Sequence, residues 1–242
     1  MPTSFRLLFI CLLLSASNAV FAQGQEATIR KNLSERIPQM PKIEEVTRAP
    51  MAGLYEVRLS TNEIYYSDAE GNFLIQGSLI DTKTRRNITE EREAKLSAID
   101  FASLPLKDAI TITRGNGKRK LAVFEDPNCG YCKRFERDLA KVDNVTVYLF
   151  LYPILSADST DKSRAVWCAK DQAQAWLNLM TRDQAPAPAS ASCNTAAIER
   201  ILSFGRQHKI TGTPTLIAQD GSRVPGAINT QQIEKLLADA SR

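Results

Sequence analysis

Apolar positions along this chain change their spacing several times, and each change marks an element. Leu7 to Leu14 is an unbroken apolar run behind Arg6, interrupted at Ser15, Ser17 and Asn18 and followed by Val20-Phe21-Ala22. A positive start, a short apolar core and a small-residue site predict a cleavable secretory signal over residues 1–22, because a membrane anchor needs about 20 apolar residues. The mature chain is expected to start at Gln23, and nothing after it is apolar enough to span a bilayer. Ile29, Leu33 and Ile37 then recur every fourth residue, predicting a helix over Ala27 to Arg36 that Pro38 and Pro41 end. From Gly53 the runs become short and β-rich: Leu54 to Ser60, Glu63 to Ser67 and Asn72 to Leu79, with turns at Thr61-Asn62 and Asp68 to Gly71. Residues 23–86 therefore read as a small α+β module, an antiparallel meander with a helix on one face. At about 60 residues such a unit buries little surface, and its edge strands need covering, so self-association through it is expected.

Asn87 to Leu104 carries strong helix formers but few apolar residues, with Asn87 placed to cap it and Glu90-Glu91 in its first turn. Polar nearly all round and stopped by Pro105, residues 87–106 read as a linker helix. Residues 107–242 form the second domain. Strands are predicted at Ile110 to Thr113 and Lys120 to Glu125, a helix from Tyr131 to Val142 with Phe135 and Leu139 inward, and a strand from Val145 to Leu151. One helix over Asp158 to Met180 follows, then a Pro/Ala/Ser loop and a helix from Asn194 or Thr195 to about His208. A hairpin around Asp220-Gly221 and an amphipathic helix from Thr230 to Ala240 close the chain. Strand, helix, strand, helical insert, hairpin, helix is the order of an α/β thioredoxin-like domain with a helical insertion.

Composition changes this picture little: 242 residues, 43% hydrophobic and 24% charged, are ordinary for a globular protein. The formal charge of +4, one less without Arg6, is too small and dispersed to argue for nucleic acid. His208 is the sole histidine, which removes most histidine-based metal sites and the usual partner of a Cys-His nucleophile. No cofactor or metal is expected. Cysteines are more informative. Cys11 leaves with the signal, and Cys129, Cys132, Cys168 and Cys193 remain, an even number in an exported chain and so a suggestion of two disulfides.

Cys129-Gly130-Tyr131-Cys132 sits where a predicted strand meets a predicted helix. A thiolate at a helix N-terminus meets unpaired backbone N–H groups and the positive end of the dipole, so a lowered Cys129 pKa and redox chemistry are expected. Half a zinc site or an inert disulfide is the competing reading, and it lacks a second short-spaced pair. Cys129 is the expected attacking thiol. Cys132, one turn inward, is the resolving one. Both intervening residues keep their N–H groups, while Glu125 and Asp126 oppose a thiolate unless one is neutral or turned away. Thr213-Pro214 is either a trans proline opening an edge strand or a cis proline facing the cysteines and offering backbone groups to an extended peptide; the chain order favours cis. Gly130, Tyr131, Thr213 and Pro214 are thus the expected substrate-binding positions. Cys168 and Cys193 flank the Pro/Ala loop, and joining them closes about 25 residues, a staple contributing about 3–4 kcal/mol.

Phe124 to Lys133, Trp167-Cys168-Ala169-Lys170-Asp171, Cys193, Gly212-Thr213-Pro214-Thr215 and Ile75-Gln76-Gly77 together resemble the DsbC/DsbG family of periplasmic disulfide proteins. Gly130-Tyr131 and the extra cysteine pair favour its isomerase side. The resemblance spans nearly the whole mature chain. It implies a cystatin-like N-terminal dimerisation module and a V-shaped homodimer whose two catalytic domains face a shared apolar cleft. It also implies a periplasmic isomerase acting on misfolded, disulfide-containing exported proteins, with Cys129 and Cys132 kept reduced by the membrane reductant DsbD. A holdase-type chaperone and a disulfide oxidase are the alternatives.

Overall fold

The computed structural model describes residues 24–241, so the expected signal over residues 1–22 and Cys11 lie outside the described residues. The chain divides into two compact units, Met1–Leu96 and Ser97–Arg242.

In the first unit, helix α1 (24–36) buries Ile29 and Leu33, the four-residue stripe of the sequence, against a four-stranded antiparallel sheet. Its strands, in spatial order, are β1 (Ile43–Arg48), β2 (Tyr55–Leu59), β3 (Ile64–Ser67) and β4 (Leu74–Ile75). Tyr55, Val57 and Leu59 alternate into the core from β2, as a half-buried strand requires. β1 is absent from the sequence reading for a physical reason. A bulge between Ile43 and Glu45 breaks the period of two, so Ile43 and Val46 both face inward three residues apart. A two-stranded ribbon, β5 (Ile80–Asp81) with β6 (Arg86–Asn87), leads into helix α2 (Ile88–Ser97).

Asn87 caps α2 as expected, its Oδ1 accepting from the Glu90 N–H at 3.1 Å. The helix is shorter than the predicted Asn87–Leu104 and is tied to the sheet of its own unit, where Arg92 donates to Glu45 (2.8 Å) and Glu56 (3.0 Å). Beyond it, Asp100 accepts from the Ala102 N–H and the chain makes two 3₁₀ turns, Phe101–Ser103 and Leu106–Asp108. Ile99, Phe101 and Leu104 are all buried at spacings of two and three, which no straight α-helix serves from one face.

The second unit is built on a five-stranded sheet of order β11-β10-β8-β9-β7, comprising β7 (Ile110–Arg114), β8 (Arg119–Glu125), β9 (Val145–Leu151), β10 (Thr215–Ala218) and β11 (Arg223–Pro225). Only β8 and β9 pair in parallel. β8 is buried on both faces: Leu121 and Val123 join one core with Phe135, Trp176, Met180 and Ile233, whereas Ala122 and Phe124 join another with Phe150, Tyr152 and Ile201. Helices α3 (Gly130–Leu139), α5 (Gln172–Arg182) and α7 (Thr230–Asp239) supply the first core, and α6 (Ala196–Gln207) the second. The single helix predicted over Asp158 to Met180 is two, α4 (Ala157–Trp167) and α5. Cys168 ends α4, and Asp171 restarts the chain as an N-cap, its side chain accepting from the Gln174 N–H at 2.9 Å.

Candidate active site

β8 delivers Glu125 to the end of the sheet, and Asp126-Pro127-Asn128 carries the chain to Cys129, the N-cap of α3. Its sulfur accepts the Cys132 backbone N–H at 3.3 Å and donates to the Thr213 carbonyl at 3.3 Å. The Thr213–Pro214 bond is cis. Cys129, Cys132, Thr213 and Pro214 thereby meet in one place, although 84 residues separate Cys129 from Thr213. Cys132 is fully buried, and Cys129 is only 5% exposed, with the Thr213 carbonyl against its sulfur. The donor on that sulfur is the Cys132 N–H rather than one from Gly130 or Tyr131, and Tyr131 turns its ring to solvent. Cys168 and Cys193 stand apart from these residues, joined as a disulfide in the helical insert beside the Trp167 Nε1–H bond to the Asn194 carbonyl (3.0 Å).

Asp126 and Glu125 follow opposite routes out of the problem they pose for a thiolate. Asp126 is buried and accepts four donors: the N–H groups of Asn128 (2.8 Å), Ile154 (2.8 Å) and Leu155 (3.0 Å), and the Ser159 hydroxyl (2.8 Å). It binds the approach to Cys129 to the segment after β9. Asn128 extends the tie, donating to Asp158 at 2.7 Å and accepting from Lys162 at 2.8 Å. Glu125 is buried without such help, and burial, then the nearby Glu136 carboxyl, then Cys129 push its carboxyl well above the usual carboxylate range. Burial and then Glu125 push the Cys132 thiol up strongly. The neutral form of the Cys132 thiol is thus favoured, while the Cys129 sulfur beside it carries two hydrogen bonds.

The sequence reading missed Glu136 and Trp176, whose Nε1–H donates to Glu136 Oε1 at 2.7 Å. It also missed Tyr152, whose hydroxyl donates to the Ile210 carbonyl at 2.8 Å, four residues before Pro214. Charge on an otherwise apolar helix face was the available signal for Glu136; nothing local marks the others.

Two known families match the chain. The family described as a thioredoxin-like domain matches residues 106–241, and that described as the disulfide bond isomerase protein N-terminal domain matches residues 20–90. A probable thiol:disulfide interchange protein DsbC of Bordetella parapertussis is 47% identical over 192 residues, 79% of this chain and 67% of that protein. The chain belongs to the DsbC family. As a DsbC-family protein with a thioredoxin-like domain it is a thiol-disulfide oxidoreductase. The Escherichia coli K12 DsbC is 28% identical over 233 residues, covering 95% of this chain and 94% of that one. A crystal structure of a disulfide interchange protein from Neisseria gonorrhoeae aligns with a TM-score of 0.54 at 37% identity, covering 57% of this chain and 99% of that one.

Proposed function

We propose that this DsbC-family chain is a periplasmic protein disulfide isomerase that rearranges non-native disulfides in exported proteins through a reduced Cys129-Gly130-Tyr131-Cys132 pair. The observation that carries the reading is the placement of Cys129 Sγ between the Cys132 N–H and the Thr213 carbonyl, beside a backbone able to pair with an extended chain. Cys129 thiolate attacks one sulfur of a wrong disulfide, that bond breaks, and the other sulfur leaves as a thiolate. The freed thiolate attacks another disulfide of the substrate. The thiolate displaced there attacks the substrate sulfur bonded to Cys129, so that this bond breaks and Cys129 leaves as a thiolate, or Cys132 displaces a stalled substrate. Thr213, Pro214, Gly130 and Tyr131 line the approach as substrate-binding positions, and the Cys168–Cys193 disulfide holds the insert. The predicted signal supports export, and the N-terminal domain match supports a homodimer. A DsbD-like membrane reductant is the partner that keeps the pair reduced.

Cys129→Ala tests this reading against a holdase. Reactivation of a scrambled, multi-disulfide substrate should vanish in the variant; if it persists, passive binding rather than thiol exchange is the activity. Thiol trapping in cells addresses the oxidase alternative, since a pair found mainly oxidised would overturn the isomerase assignment.

A further inference from the structure

Residues 208–214 carry the chain from α6 to β10 and include Thr213, whose carbonyl meets the Cys129 sulfur. Little packs on the tip of this loop: Thr211 and Gly212 are exposed, and a Cβ added at Gly212 would meet nothing within 4 Å. A loop without packing keeps one conformation only where hydrogen bonds hold it. Here three consecutive carbonyls are claimed by side chains from distant parts of the fold. Arg223, on β11, donates to the His208 carbonyl at 2.9 Å and to the Lys209 carbonyl at 2.8 Å, and the Tyr152 hydroxyl donates to the Ile210 carbonyl at 2.8 Å. Past the tip, the Thr215 hydroxyl donates to the Gly212 carbonyl at 2.8 Å and the Gly226 N–H to the Pro214 carbonyl at 2.8 Å. Tyr152 also holds the cysteine side of the site, since its own N–H donates to the carbonyl of Glu125, the last residue of β8, at 2.7 Å. Packing alone does not call for these two side chains. Arg223 stands opposite Ile217 in the sheet, is half-buried, and meets no carboxylate among the described residues, so burial lowers its pKa. A desolvated cation without an anion is unfavourable, and an apolar side chain at that position would avoid it.

We infer that Arg223 and Tyr152 are positioning residues, which fix the loop so that the backbone at Thr213 meets an extended polypeptide beside the Cys129 sulfur. The inference rests on the thiol-exchange reading above and makes the loop the part of the site that favours polypeptide disulfides over small ones. Both residues act through carbonyls three to five residues before Thr213. A backbone already held in place spares an incoming chain the entropy of ordering the loop, so binding is tighter. A small disulfide without a peptide backbone makes no such pairing and gains nothing from the anchors.

Two probes separate the effects by stopped flow on the reduced full-length protein: a symmetrical small aromatic disulfide, and an extended peptide whose single cysteine carries the same aromatic thiol in disulfide linkage. Attack by Cys129 releases the coloured thiol from both. Arg223→Met, which keeps the stem and removes the donors, should lower the ratio of peptide rate to small-disulfide rate by about tenfold. Tyr152→Phe, which keeps the ring, should lower it several-fold. The loss should lie in the peptide concentration that half-saturates the reaction, with the limiting rate and the small-disulfide rate retained. A merely structural role would lower both rates together as folded protein is lost, so an unchanged ratio overturns the inference, as does a loss confined to the limiting rate. The two variants break separate bonds, and should one not fold, the other decides. A wild-type protein that attacks neither probe would instead remove the thiol-exchange reading itself.

Discussion

Gly205 sits in α6 directly under the Tyr152 ring, where an added Cβ would come within 2.3 Å of a ring carbon and 2.5 Å of the hydroxyl oxygen. The ring cannot easily retreat: Phe124 packs edge-on against it at 5.7 Å, and its hydroxyl is bonded to the Ile210 carbonyl. Alanine at a helix-interior glycine is worth up to about 1 kcal/mol, whereas overpacking a filled core costs about 1–3 kcal/mol, so the clash wins. Gly205→Ala should lower the urea midpoint, by about 1–2 kcal/mol net, with an unchanged slope. A variant as stable as wild type would show that the ring moves freely. Nothing in the sequence marks Gly205, since a lone glycine in a helical pattern looks the same whether exposed or pressed against a ring. At the end of α6 the His208 ring stacks on Phe204 at 4.2 Å, and burial and then Arg223 lower its pKa, favouring the neutral form.

Between elements, one ion pair fastens α6 to the second 3₁₀ turn, Leu106–Asp108. Arg200 donates from Nε to Asp108 Oδ2 at 2.9 Å and from a terminal nitrogen to Oδ1 at 2.6 Å, and Asp108 is buried. The Arg200 guanidinium holds the Asp108 carboxyl below its ordinary value against the opposing effect of burial. A depressed folded pKa means that the contribution is fully present above the unfolded value of about 3.9 and is lost as pH falls through the lower, folded one. Asp108→Asn should therefore cost about 1–3 kcal/mol at neutral pH, and the gap from wild type should narrow as the pH falls below the unfolded value of about 3.9 and through the lower, folded one. A gap that persists in acid would assign the loss to packing instead. Element order was readable from the sequence because strands such as Val145–Leu151 and helices such as α7 keep a clean period. The failures share a cause in geometry that interrupts a period: the β1 bulge, the turns after α2, and the break at Cys168 to Asp171. The cysteines and Thr213-Pro214 stood out by residue type alone. The Glu125–Glu136–Trp176 contact did not, since it joins a strand end, a helix and the insert through tertiary packing.

On the scale of the whole molecule, the two edges of the N-terminal sheet differ in a way that bears on assembly. β1 carries Glu44, Glu45 and Arg48, the kind of charge that discourages strand pairing. β4 is two residues long and apolar, and it leaves Ile75 50% exposed beside Phe73 at 70%. A small core built on Ile29, Leu33, Val57 and Leu59 gains from covering that edge, and a second copy of the same edge is self-complementary by two-fold symmetry. If β4 is where the proposed homodimer forms, Ile75→Lys should convert the dimer to monomer in sedimentation velocity at micromolar concentration, with the fold of each unit intact. The chemistry should then divide. Attack of Cys129 on a small disulfide needs only one thioredoxin-like domain and should be retained, whereas reactivation of a scrambled multi-disulfide protein, which profits from two sites acting on one chain, should fall several-fold. An Ile75→Lys protein that still sediments as a dimer would place the interface elsewhere, and one that is monomeric yet fully active on the scrambled protein would show that a single site suffices.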